Sequence, residues 1–256
     1  MPTIDISGSV IHYVTGPSGL APGRRNFIFV HGAGGNSLVW QKQRYGLDRG
    51  VNTICPDLPG HGRSSGNGLT SIAEYSAWLS HFAGSLAQDK VVLVGHSMGG
   101  AVVLETALSR PQWLEAIVLI GTGARLKVRS DLLRDLEQDF SRAASKIVRS
   151  CYSEHAPREL RQWALEQLLA ERAEVVADDF RACNAFDLMD DLPRIPHPAL
   201  VICGSNDVMT PVKYSHYLAD KLPRAAIAII QDTGHMAMLE KGAQVNSAIV
   251  RFLSHL

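Results

Sequence analysis

Hydrophobic positions along the chain alternate between short β-branched runs and longer amphipathic stretches. This alternation is typical of a mostly parallel sheet that is covered by helices on both faces. At the start of the chain, residues 3–7 and 9–15 are separated by Gly8 and predict a hairpin. The buried strands predicted after it are residues 27–30, 53–56, 91–94, 116–120, 200–203 and 226–230.

Capping residues and prolines place helices between these strands. Ser71 followed by Glu74 forms a capping box, which predicts that a helix begins there. Pro211 suits the first turn of another helix, because its missing N–H would have no partner in that turn anyway. The predicted helices are residues 71–86, Met98–Leu108 with Pro111 helping to end it, one that begins at Pro211, and residues 240–256.

Residues 124–191 break the alternation of strand and helix. They show several helical periods and no convincing buried strand, and they carry 11 Lys/Arg and 14 Asp/Glu, which is half of the charged side chains of the chain. So many charges predict amphipathic helices with one solvated face. The pattern alone fits both a solvated helical excursion and a lid over an active site.

Composition excludes several classes of protein. The chain has 256 residues, of which 46% are hydrophobic, and its 25 Lys/Arg balance its 25 Asp/Glu. This predicts a globular protein and argues against nucleic acid or an anionic membrane as the main partner. The four cysteines lack C-x-x-C spacing and are expected to be reduced thiols, not a metal site. Without a signal-like start or a long apolar run, the chain is expected to be soluble and cytoplasmic.

The segment Gly95-His96-Ser97-Met98-Gly99 lies between a predicted strand and a predicted helix. A G-x-S-x-G sequence at such a junction is a nucleophile elbow, in which a sharp turn lifts the serine hydroxyl above the edge of the sheet. Ser97 is therefore the candidate nucleophile. A glycine-rich turn with an incidental serine is the competing interpretation.

A second glycine-rich loop, His31-Gly32-Ala33-Gly34-Gly35, follows the predicted strand 27–30. In elbow enzymes an oxyanion hole is built from an amide of this loop and the amide after the nucleophile. The backbone N–H groups of Ala33 and Met98 are the predicted donors. A phosphate-binding loop is the alternative, although neither a G-x-G-x-x-G nor a P-loop pattern is present.

A serine nucleophile needs a base and a group that orients the base. Asp207 follows the predicted strand 200–203, and His235 follows the predicted strand 226–230. Carboxyl ends of parallel strands meet at one edge of a sheet, so these side chains are expected to lie near Ser97. Asp232 is a weaker candidate for the orienting acid.

These motifs, together with the Asp57-Leu58-Pro59-Gly60-His61-Gly62-Arg63-Ser64 loop, resemble the α/β-hydrolase superfamily over nearly the whole chain. The resemblance implies an α/β-hydrolase fold with a core of residues 1–123 and 192–256 and a helical cap of residues 124–191. It implies a structural role for Asp57, and a serine at position 97 argues against dehalogenase and epoxide hydrolase chemistry.

The expected function is hydrolysis of a small or medium carboxylic ester by a Ser97-His235-Asp207 triad, without metal or organic cofactor. Lactonase, thioesterase, carbon–carbon bond hydrolase and perhydrolase activities remain open, as does a small-molecule receptor with slow turnover. The expected partner is a small-molecule substrate, and the expected state is a monomer or homodimer. Trp40, Met209 and Met236 are expected to line the substrate pocket, while His31, His61 and His96 are expected to form structural hydrogen bonds.

Overall fold

The computed structural model describes residues 2–86 and 90–256. Within these residues, eight strands form one central sheet. The strands are β1 (Thr3–Ile6), β2 (Ser9–Thr15), β3 (Asn26–Val30), β4 (Asn52–Pro56), β5 (Val91–His96), β6 (Leu114–Ile120), β7 (Ala199–Gly204) and β8 (Ala225–Ile230).

The spatial order of the strands is β1-β2-β4-β3-β5-β6-β7-β8. The leading hairpin pairs antiparallel, and β2 pairs antiparallel with β4. The pairs from β4 through β3, β5, β6 and β7 to β8 are all parallel. This confirms the predicted hairpin and the mostly parallel sheet. The prediction that every later strand is buried is wrong for β8, which forms the edge of the sheet and leaves Ile227 exposed.

Helices connect most of the strands. They are α1 (Gln41–Gly46), α2 (Ile72–Leu86), α3 (Met98–Leu108), α4 (Ser130–Gln138), α5 (Phe140–Cys151), α6 (Arg158–Ala170), α7 (Ala173–Ala185), α8 (Val212–Lys221), α9 (Ala237–Glu240) and α10 (Gly242–Leu253). Two short 3-10 turns lie at Ser37–Trp40 and Leu192–Arg194.

The capping box at the start of α2 is confirmed. Ser71 Oγ accepts from the Glu74 amide at 3.2 Å, and the Glu74 carboxylate accepts from the Thr70 amide at 3.0 Å. The closing helix predicted at residues 240–256 is confirmed as α10 with narrower bounds, because Lys241 is not helical and α10 ends at Leu253; the short helix α9 before it was not predicted. Gly242 packs so closely on Lys42 that a Cβ there would lie 2.5 Å from the Lys42 Cβ.

Alternate side chains of the central strands enter two different cores. On β5, Val91 and Leu93 pack in the core shared with α2, α3 and α8, while Val92 and Val94 pack in the core shared with α10. Burial of both faces explains the continuous apolar runs in these strands.

Helices α4 to α7 lie between β6 and β7, and an isolated antiparallel bridge pairs Arg125 with Asp187 at the base of this insertion. Apolar side chains of α5 and α7, such as Ile147 and Val176, join the core that includes Phe29 and Val94. In the part of the chain that the structure describes, no helix is long and apolar enough to cross a membrane.

Candidate active site

Ser97 occupies a strained turn between β5 and α3. Its backbone has φ 52° and ψ −117°, a conformation with positive φ that non-glycine residues adopt at a cost of about 1–3 kcal/mol. Neighbouring glycines permit the turn, because a Cβ on Gly95 would lie 2.2 Å from the Gly99 carbonyl oxygen and one on Gly99 would lie 2.3 Å from the Val30 carbonyl oxygen. The helix N-terminus directly after Ser97 favours negative charge near its hydroxyl.

Asp207 and His235 form a buried hydrogen-bonded pair after β7 and β8. His235 Nδ1 lies 2.8 Å from Asp207 Oδ2, and both side chains are almost completely buried. The other carboxylate oxygen, Oδ1, accepts from the amides of Met209 and Thr210 at 2.8 and 2.9 Å. Burial opposes ionisation of Asp207, yet the adjacent His235 and the Thr210 donors hold the pKa of Asp207 below its ordinary value.

The triad candidates meet at one cavity. Ser97 and His235 both line it, although no hydrogen bond joins them among the described residues. Such bonds are often long before substrate binds. Because His235 Nδ1 faces Asp207, its Nε2 is the nitrogen left for a hydroxyl. His96 stabilises the loop after β8 that carries His235, since the His96 Nε2–H donates to the His235 carbonyl oxygen at 3.2 Å.

The two predicted oxyanion donors lie in different surroundings. Ala33 lines the cavity, whereas the Met98 side chain is fully buried in the core and Met98 contributes the first residue of α3. Within the described residues, neither amide bonds to a turn, loop or side-chain acceptor, and the N–H of the first residue of a helix has no partner inside the helix. The loop itself is a tight turn closed by the Gly35 amide, which donates to the Gly32 carbonyl oxygen at 3.0 Å.

Apolar side chains dominate the cavity wall. Met209 and Met236 belong to this wall, but Trp40 does not. Trp40 is completely buried behind the site, where its ring packs 5.2 Å from that of Phe29 and 6.5 Å from that of His96. Its assignment to the pocket is therefore corrected to a core position. The insertion contributes further wall residues, which include Leu126, Ile147, Trp163, Leu168 and Phe180.

Two other histidines of the loops around the cavity are hydrogen bonded, as expected. His31 Nδ1–H donates to the Gly32 carbonyl oxygen at 2.9 Å, and its Nε2 accepts from the Leu58 amide at 3.0 Å. This pattern requires a neutral ring, and burial together with nearby His61 lowers the pKa of His31 to about 4. Burial and the adjacent His235 likewise lower the pKa of His96.

Two acidic residues near the site have different surroundings. Asp57 accepts from the amides of Ser37 and Arg63 at 2.7 and 3.0 Å, which fits the structural role implied for it. Asp232 is exposed and pairs loosely with Lys241 at 3.4 Å, so it does not compete with Asp207 for His235. The described residues include no group of three or more His, Cys, Asp or Glu placed to hold a metal ion.

Comparison with known proteins decides the family. The model of the "Alpha/beta hydrolase family" matches residues 27–248. The chain belongs to this alpha/beta hydrolase family. It is therefore an enzyme of the hydrolase class, and its fold is the alpha/beta hydrolase fold.

Proteins similar to this hydrolase include esterases and a putative carbamate hydrolase. A putative carbamate hydrolase RutD from Yersinia enterocolitica is 28% identical over 250 residues, covering 91% of this chain and 88% of that protein. A pimeloyl-[acyl-carrier protein] methyl ester esterase from Salmonella paratyphi A is 25% identical, covering 91% and 96%. A solved thermophilic esterase is 31% identical with a TM-score of 0.88, covering 99% of this chain and 97% of that one.

Two buried or half-buried carboxylates of this hydrolase were missed by sequence reasoning. Asp179, on α7, accepts hydrogen bonds from Gly34, His61 and Tyr75. Glu240 accepts from the Gly234 amide at 2.9 Å and from Ser153 Oγ at 2.5 Å, and so links the loop before His235 to the insertion. No local pattern marks Asp179, because its partners are distant in the chain, and the contact of Glu240 with Ser153 spans 87 residues.

Proposed function

We propose that this hydrolase cleaves small or medium carboxylic esters through a Ser97-His235-Asp207 triad and an acyl-enzyme intermediate. The observation that carries the proposal is the buried 2.8 Å contact between His235 and Asp207 at the cavity that Ser97 also lines. The strained turn at Ser97 supports a nucleophile, since such conformations cluster at active sites.

In the proposed mechanism, His235 Nε2 removes the hydroxyl proton as Ser97 Oγ attacks the ester carbonyl carbon. The amides of Ala33 and Met98 stabilise the oxyanion, and loss of one comparable donor raises the barrier by about 3–4 kcal/mol. His235 then gives its proton to the leaving alcohol. Water, activated by the same histidine, attacks the acyl-enzyme and releases the acid. Each step uses protein groups and water, so the proposal involves no metal or organic cofactor.

Asp207 orients the base in this mechanism. Its carboxylate keeps a proton on His235 Nδ1, which leaves Nε2 free to accept, and it stabilises the imidazolium that forms. Two backbone amides and the Thr210 hydroxyl hold the carboxylate itself in place. The pair therefore needs no reorganisation during the reaction.

We further propose that residues 124–191 act as a cap on a core of residues 1–123 and 192–256. Support comes from the cavity wall, to which the insertion contributes Trp163, Leu168 and Phe180 together with Ser97 and His235 of the core. These apolar side chains favour an uncharged acyl or alcohol group of modest size. A small-molecule ester is thus the expected partner.

A fluorophosphonate probe and a substrate panel test the proposal. The probe should label Ser97, and the protein should turn over p-nitrophenyl acetate or butyrate many times per site, with Ser97→Ala as the control. Methyl esters, carbamates, thioesters, lactones and a peroxide assay complete the panel, since carbamates and methyl esters appear in the names of the relatives. Absence of labelling, or a single turnover with ligand-dependent change in the insertion, would contradict an ester hydrolase and favour a receptor.

A further inference from the structure

A carboxylate of the insertion reaches the loop that carries the Ala33 amide. Asp179, on α7, is completely buried, and its Oδ2 accepts from the Gly34 amide at 2.9 Å. That amide belongs to the peptide between Ala33 and Gly34, inside the turn closed by Gly32 and Gly35. Gly34 has φ +60°, and a Cβ there would lie 2.7 Å from Leu168, so the insertion packs directly on this turn.

The same carboxylate has two more donors, both from the core. His61 Nε2 lies 2.8 Å from Asp179 Oδ2, and Tyr75 Oη donates to Oδ1 at 2.8 Å. These donors come from the loop after β4 and from α2. One buried side chain of α7 thus joins three separate elements of the core.

The hydrogen-bond partners of His61 favour its charged form. Its Nε2 faces the Asp179 carboxylate, and its Nδ1 lies 3.0 Å from the Pro59 carbonyl oxygen. An ionised Asp179 carboxylate and the Pro59 carbonyl oxygen both accept, and a hydrogen bond to each of them requires a proton on both ring nitrogens. Although burial opposes the charge, Asp179 raises the pKa of His61, which agrees with an imidazolium. A fully buried ion pair therefore anchors the carboxylate.

We propose that Asp179 is a positioning residue for the oxyanion hole, acting through Gly34 on the turn that presents the Ala33 amide. This rests on the proposed ester hydrolysis. The peptide between the two central residues of a turn is the one that rotates when a turn changes type, and Asp179 holds the N–H of this peptide. The insertion in this way supplies part of the geometry needed for transition-state stabilisation, besides forming the cavity wall.

Substitutions at Asp179 separate the contact to Gly34 from the ion pair. In Asp179→Asn the amide oxygen can replace Oδ2 and still accept from Gly34, while the amide NH₂ faces Tyr75, whose hydroxyl can turn to accept. This variant loses the charge but keeps the anchor. In Asp179→Ala both are lost. Tyr75→Phe removes a contact to the same carboxylate that does not reach the turn, and serves as the matched control.

The measurements are kcat and KM for p-nitrophenyl acetate, the affinity for a trifluoromethyl ketone, and the midpoint of urea-induced unfolding (the urea midpoint), which reports stability. Asp179→Ala should lower kcat about 10- to 100-fold with little change in KM, since a displaced donor costs up to the effect of a deleted one. The affinity for the trifluoromethyl ketone, whose adduct places an oxyanion in the hole, should fall in parallel. Asp179→Asn should recover most of kcat despite a lower urea midpoint, and Tyr75→Phe should keep kcat.

Asp179→Ala leaves a buried imidazolium unpaired, and this variant can fail to fold. His61→Leu/Asp179→Leu removes both charges together, which is often neutral for stability, and it also removes the anchor. It should fold, with kcat lowered to the same extent. Full kcat in this double variant, or kcat values that simply follow the urea midpoints across all variants, would overturn the positioning role. Absence of ester turnover and of probe labelling in the unmodified protein would instead overturn the proposed function.

Discussion

Replacing Asp207 by asparagine is expected to leave the active site folded but to move the proton of neutral His235 from Nδ1 to Nε2. Asp207 Oδ1 accepts from two backbone amides, at 2.8 and 2.9 Å. An amide NH₂ cannot take that position, so the side-chain oxygen of the introduced asparagine must lie there and its NH₂ must lie at the position of Oδ2. That group then faces His235 Nδ1, which is 2.8 Å from Oδ2 in the structure.

The magnitude follows from the resulting tautomer. A donor beside Nδ1 makes this nitrogen an acceptor, so the proton of neutral His235 moves to Nε2. A protonated Nε2 cannot remove the proton from Ser97. In serine proteases the equivalent exchange lowers kcat by about 10⁴-fold, or about 5.4 kcal/mol of barrier, and a loss of this size is expected here.

The assay is kcat/KM for a p-nitrophenyl ester, with the urea midpoint as a test of folding. Asp232→Asn is the matched control, because Asp232 follows the same strand as His235 but is exposed and turned toward Lys241. It should retain the rate of the unmodified protein. A rate for Asp207→Asn within about 10-fold of the unmodified protein, or an equal loss in Asp232→Asn, would refute the tautomer argument.

Three further outcomes are expected. Ser97→Ala should abolish both ester hydrolysis and fluorophosphonate labelling while the urea midpoint is kept or raised, because the strained turn remains available to alanine; undiminished turnover would exclude Ser97 as nucleophile. Glu240→Gln should lower kcat less than about 10-fold and lower the thermal midpoint, since an uncharged amide oxygen still accepts from Gly234 but bonds Ser153 more weakly; differential scanning fluorimetry checks this, and an unchanged midpoint speaks against the link. The pKa of His61 is raised in the folded protein, so its contribution to stability is complete below the ordinary pKa near 6.5 and is lost as pH rises through the higher folded value. The midpoint of urea unfolding should therefore fall as the pH rises above the ordinary pKa near 6.5, and His61→Gln should flatten this slope.

The parts of the fold that could be predicted are those with a local cause. The central strands have continuous apolar runs because both faces of the sheet are buried. The capping box at Ser71 marks the start of α2. The elbow at Ser97 requires glycines at fixed offsets, because Gly95 and Gly99 touch backbone atoms. The motif and its geometry are therefore inseparable.

Errors arose where distant contacts decide the outcome. Trp40 has the size of a pocket residue, but the packing of Phe29 and His96 around it places it in the core. β8 resembles an inner strand in composition, yet it has a neighbour on one side only.

Asp179 could not be predicted for the same reason. On α7 it is one acid among many in the most highly charged part of the sequence, where a solvated side chain is the reasonable expectation. Its role becomes visible only when Gly34, His61 and Tyr75 converge on it, across 145, 118 and 104 residues of chain. The balance of acidic and basic residues in the whole chain gives no sign of the buried pair formed by Asp179 and His61.

The contacts between the insertion and the core restrict how the cavity can open. Asp179 holds the turn of Gly34, and the Met236 amide donates to the Cys151 carbonyl oxygen of α5 at 3.1 Å, directly beside His235. Lifting α5 and α7 together would break these bonds and expose a buried ion pair, and breaking such a pair is costly. Helix α6 is held less firmly, because Leu168 is its one buried residue, although its Trp163 lines the cavity. Substrate entry that keeps the catalytic geometry intact is therefore expected to displace the part of α6 around Trp163, while Leu168 stays packed on Gly34 and α5 and α7 keep their contacts.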